Sequence, residues 1–202
     1  MPVLEEIAKF DTWQPGQNAK PSSSAPRQGK SAIWNPQNRR YSREWAMQML
    51  FLMDTNPPPE GPDKAIEEFW KMQALEDTPP ERKNLRDFAE ALFRGAWTNR
   101  DAIDRKLASY LENWSLERIG SVERAVLRLA AFELFHCDDT PPVVILNEAI
   151  DITRFFSTTD SASFVNGVLD RAIKDAGRDP RKGRKPAWLR RREERKDRRQ
   201  GE

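Results

Sequence analysis

The chain has 202 residues, 33% charged and 38% hydrophobic, with a formal net charge of +2. That length supports one domain with a real core, and no apolar run nears the ~18 residues of a membrane span. A lone cysteine, Cys137, excludes an internal disulfide, and no basic segment followed by an apolar one opens the chain, so a cytoplasmic protein is expected.

Residues 1–38 are expected to form a disordered extension. The stretch 14–38 is rich in Pro, Ser, Gly and Gln, and buries too little surface to offset its ordering entropy. A short partner-binding helix within 3–13 stays open. From residue 39 to 177 the pattern is helical, with short connections and no strand-like alternation. "NRRYSREWAMQMLFLMD" opens it: Tyr41, Trp45, Met49 and Leu52 share a face, and Met47 and Phe51 widen it, so this helix is buried on most sides. Arg39, Arg40 and Arg43 crowd its first turns, where the helix dipole disfavours cations by up to ~1 kcal/mol.

"TNPPPEGP" ends that helix. A second spans 63–75 with Ile66, Phe69 and Trp70. Thr78, Pro79 and Glu81 form a capping box before a third, whose core face is Leu85, Phe88, Ala89, Leu92 and Ala96. The spacing predicts a fourth over 99–113, a fifth over 116–137, a sixth over 143–156 and a seventh over 160–176, closed by Gly177. The expected fold is an all-α bundle of about seven helices, with a division into two halves near 75–80.

Basic charge is concentrated in the tail 178–202, and the middle of the chain is net acidic, so any nucleic-acid contact on the folded part must be local. The tail reads either as a solubilising segment or as one that grasps RNA. His136 and Cys137 are adjacent and point about 100° apart on a helix, which suits structure better than a nucleophile pair. No set of about four metal ligands appears, and no glycine-rich phosphate loop is present. No metal, cofactor or enzymatic activity is therefore expected. Asn166 and Gly167 interrupt a helix; close helix packing and a functional role both stay open.

The segments "RRYSREWAMQMLF", "SVERAVLRLAAFELF" and "PPVVILNEAIDITRFFSTTDSASFVNGVLDRA" resemble the NusB transcription antitermination factor family. The likeness covers about 39–176, and the run from "NEAI" through "FVNGVLD" is its most specific part. It implies two packed three-helix halves plus an extra helix. It also implies a heterodimer with NusE, a small-subunit ribosomal protein, that grips single-stranded boxA RNA in nascent ribosomal transcripts. That pair would join RNA polymerase with NusA and NusG and suppress termination.

By the same resemblance, Arg39, Arg40 and Arg43 would face RNA, with Asp160 and Phe164 as a second RNA patch. Tyr110 and Glu123 would meet NusE. The chain departs from the pattern at Tyr41 and Ser163, where relatives carry basic or polar residues. An adaptor of the same fold without RNA binding is the main alternative. A methyltransferase regulatory domain is disfavoured, because the 25 residues after Gly177 are too few for a catalytic domain. The family also admits a homodimer that hides the RNA surface.

Overall fold

The computed structural model describes residues 36–73, 80–112 and 114–183. The N-terminal extension, the capping box at Thr78, Pro79 and Glu81, and the tail beyond Gly183 lie outside the described residues or side chains. Seven α-helices are present among the described residues: α1 Pro36–Thr55, α2 Pro62–Met72, α3 Pro80–Thr98, α4 Arg100–Ala108, α5 Ser121–His136, α6 Pro142–Phe156 and α7 Thr159–Ala176. Helix α5 is the axis, packing against α1, α3, α4, α6 and α7. Helices α1–α3 form one half of the bundle and α5–α7 the other, so the division falls around α4 and not near 75–80, because α3 packs on α1.

As the periodicity predicts, α1 is enclosed on nearly every side, with Ser42 through Phe51 all buried. Trp45 meets Trp70 edge to face at 5.3 Å, and Trp70 donates its indole N–H to Glu90 at 2.8 Å. Helix α3 crosses α5 so closely that a Cβ at Gly95 would stand 2.0 Å from the Phe132 ring. Gly177 closes α7 in the left-handed conformation at φ 60°, where a glycine carries no Cβ penalty.

Two predicted helices differ from those observed. The fourth stops at Ala108 instead of continuing to 113. Ser109 and Tyr110 bond three residues back, to Lys106 and Leu107, and the Ser109 hydroxyl donates to the Lys106 carbonyl at 2.6 Å. Such local bonds compete with helix continuation. The fifth is split: Leu116–Arg118 is a 3₁₀ turn, Ile119 and Gly120 are extended, and α5 begins at Ser121. The Arg124 guanidinium takes the Leu116 and Ile119 carbonyls at 3.4 and 3.2 Å. The carbonyls that unbroken helix would pair are thus satisfied by a side chain.

Arg43 lies inside. Its Nε and Nη2 each donate to the Glu133 carboxylate at 2.7 Å, and both residues are buried. Removing one member of such a pair strands a charge in a low-dielectric interior. Arg43→Ala is expected to destabilise the fold by about 3–5 kcal/mol, read as a lower urea midpoint.

Candidate nucleic-acid interface

The start of α1 presents Arg39 and Arg40 at the surface, with side chains 24% and 23% exposed. Arg39 pairs with Asp139 at 3.2 Å and lies 4.9 Å from the centre of the Phe88 ring. Arg40 bridges Glu148 at 3.1 Å and Asp151, both on α6. The expectation that Arg43 lines the same face is corrected: it points to α5, because that side of α1 is the buried α1–α5 contact. Tyr41 is partly buried against the core.

Beneath Arg40, Glu44 is 2% exposed. Burial pushes its carboxyl up to about 7; Arg40 opposes the shift and the Glu148 charge reinforces it. A carboxyl with a raised folded-state pKa binds a proton that the unfolded chain has already released. Stability is then full below the ordinary carboxylate range and falls as pH rises toward 7.

The second predicted patch is at the start of α7. Thr158 caps this helix by accepting from the Ser161 N–H at 3.1 Å. Asp160 is exposed in the first turn, and Phe164 is partly buried one turn later. Phe164 borders a cleft of about 270 Å³ together with Leu111, Trp114, Gly167 and Arg171. Trp114 is 60% exposed, and helical periodicity does not single it out. An indole in a charged connection, off every apolar helical stripe, was the available signal. A Cβ at Gly167 would meet nothing within 4 Å. Gly167 therefore does not serve close packing; it leaves the cleft open.

Two bonds fix the connection that carries Trp114. The Tyr110 hydroxyl donates to Asp175 at 2.7 Å, and Arg171 donates to the Tyr110 carbonyl at 2.7 Å. Tyr110 is only 8% exposed and Glu123 only 7%. Glu123 accepts from the Ser157 hydroxyl at 2.5 Å, across to the α6–α7 turn. Both expected partner residues thus lie mostly inside and shape the surface from beneath.

His136 stacks on Phe132 with centroids 5.4 Å apart. Burial, with Glu133 and Asp139 adding to it, pushes the Cys137 thiol up to about 12, far from a reactive thiolate. Among the described residues no group of His, Cys, Asp and Glu is placed to hold a metal ion, and no helix is long and apolar enough to cross a membrane.

An all-α bundle with surface arginines on its first helix and an aromatic cleft on its last defines a helical module that presents its chemistry on an open surface. The NusB family model matches residues 40–174, and the chain belongs to the NusB family. The transcription antitermination protein NusB of Symbiobacterium thermophilum is 40% identical over 139 residues, 68% of this chain and 90% of that protein. The structure of T. maritima NusB aligns with a TM-score of 0.60 at 36% identity, covering 68% of this chain and 91% of that one. A structure of antitermination factors NusB and NusE in complex with dsRNA aligns with a TM-score of 0.60 at 25% identity, covering 68% and 97%.

Two substitutions probe this region. Glu44→Gln should leave stability unchanged near pH 4 and raise it above pH 7, by up to about 3 kcal/mol, measured as denaturant midpoints across pH. Gly167→Ala should stabilise α7 by about 1 kcal/mol on thermal unfolding, since nothing obstructs the added methyl.

Proposed function

We propose that this chain is a transcription antitermination factor that binds boxA-type single-stranded RNA as a heterodimer with NusE. The match to a NusB solved with NusE and RNA, over nearly all of that chain, carries the reading. In this reading Arg39 and Arg40 grip phosphates, and Phe164 with Trp114 offers ring faces to unstacked bases. Stacking of that kind contributes ~1–3 kcal/mol per base. Asp160 borders the same patch, and the surface over Tyr110 and Glu123 receives NusE. The assembled pair joins RNA polymerase with NusA and NusG in the cytoplasm. Its mechanism is tethering, with no bond made or broken.

RNA binding here is an exchange of partners. Arg39 and Arg40 leave Asp139, Glu148 and Asp151 for phosphates. Partly exposed ion pairs are worth only ~0–1 kcal/mol, so the exchange is accessible. The uncovered carboxylates then repel RNA, which keeps affinity low for the chain alone and makes the NusE pairing necessary. Arg43 supports this site by holding α1 in place rather than by touching RNA.

One observation favours a second reading, a protein-only adaptor: Arg39, Arg40 and Arg43 are all matched by carboxylates. Titration of boxA RNA against the chain, with and without NusE and at two salt concentrations, separates the two. Arg39→Ala with Arg40→Ala should weaken binding and reduce the slope of log affinity against log salt by about 1.4, from ~0.7 per phosphate contact. Equal binding of boxA and a scrambled RNA of equal length by the unmutated pair would overturn the antitermination reading, and binding of neither would support the adaptor.

A further inference from the structure

The cleft between α7 and the connection after α4 has two aromatic rings for walls and a pair of opposite charges at its rim. Trp114 and Phe164 supply the rings, and the buried Val168 lines it between them. Gly167 contributes only space. A glycine in mid-helix weakens α7, and a Cβ there would meet nothing within 4 Å, so the opening itself is what the residue provides. At about 270 Å³ the cleft is below the roughly 300–1,000 Å³ of pockets that enclose a drug-sized ligand, and it suits one flat ring system. At the rim Arg171 Nη2 stands 3.3 Å from Glu112 Oε2, with side chains 43% and 75% exposed. The other terminal nitrogen, Nη1, donates to the Tyr110 carbonyl at 2.7 Å. The guanidinium is thereby fixed in direction, while the Glu112 carboxylate has no second partner among the described residues.

We infer that this cleft is a base-reading pocket that takes one splayed-out guanine of the bound RNA, with Glu112 and Arg171 as its specificity-determining residues. The inference rests on the RNA-binding reading above and gives the aromatic patch a task beyond stacking. A carboxylate beside a guanidinium presents two acceptors and then a donor. Guanine's Watson–Crick edge is the complement, since its 2-amino group and N1–H donate and its O6 accepts. Glu112 accepts both donors, and Arg171 Nη2 donates to O6. Each of the other bases brings a single donor to that edge. The commitment of Nη1 to Tyr110 also leaves Arg171 short of donors for the two acceptors of cytosine. Bonds to a charged acceptor are roughly twice as strong as neutral ones, so the carboxylate decides the preference. The exposed Glu112–Arg171 pair offers little resistance to the exchange. An apolar side chain from a partner protein fits this rim less well, because it would cover polar atoms without replacing their bonds.

The test uses the full chain with NusE and a boxA RNA whose guanosines are replaced one at a time by inosine, which lacks only the 2-amino group. One replacement should weaken binding about tenfold, the size of a lost hydrogen bond to a charged group, and any others should leave it unchanged. In Glu112→Ala that guanosine and its inosine counterpart should bind alike, whatever the loss of a negative charge does to overall affinity. Gly167→Leu fills the cleft and should abolish the same discrimination, with its unfolding midpoint measured alongside. Glu112 lies at the exposed rim, so Glu112→Ala keeps the test decisive if Gly167→Leu loses its fold. Equal binding of every inosine RNA by the unaltered pair overturns the pocket, as does discrimination that survives Glu112→Ala. Weaker NusE binding by Gly167→Leu, with no inosine effect in the unaltered pair, overturns it in favour of a protein side chain in the cleft. Failure of the RNA-binding reading is seen separately, as equal binding of boxA and a scrambled RNA by the unaltered pair. Inosine replacement in either RNA then still decides the pocket, and a pair that binds no RNA overturns both.

Discussion

Helix α1 is held along α5 by ion pairs at both of its ends, one buried and the other partly buried. Near its start Arg43 meets Glu133, late in α5. Near its end Asp54 meets Arg124 and Arg128, early in α5, each at 2.6 Å. Arg128 also reaches Asp104 of α4 at 2.7 Å. The two sets of charges set the helices antiparallel and fix how far one is shifted along the other. A slip of one turn, about 5.4 Å, would part both sets and leave the buried Arg43, Glu133 and Arg128 charges alone, which costs several kcal/mol. Apolar packing by itself specifies register less sharply, since cores tolerate repacking among hydrophobic side chains.

The surface at the start of α1 inherits that register. With Arg43 committed to α5, its neighbours Arg39 and Arg40 emerge at the rim beside α6 and the α5–α6 connection. Their partners there are the carboxylates of Asp139, Glu148 and Asp151, so both cations of the edge are matched within the fold.

Around α7 the surface again depends on residues beneath it. Tyr110 ties a connection to Asp175, and Glu123 meets Ser157. The exposed ring beside Phe164 belongs to Trp114, whose position depends on those ties. Sequence periodicity located Phe164 on the helix. The cleft it shares with Trp114 required a connection to fold back on α7, and helical spacing carries no record of that.

Residue spacing alone determined the number and order of the helices, the enclosure of α1 and the close of α7 at Gly177, though not the end of α4 or the start of α5, because these depend on local backbone preference and on which side chains avoid water. It also drew attention to three arginines that a helix start does not favour. Only the tertiary structure divided them: one faces a buried glutamate and two face solvent and surface acids. Three residues within five positions share similar local environments, and nothing local distinguishes them. The distinction arises where α5 passes, and Glu133, the residue that claims Arg43, lies 90 positions away in the chain.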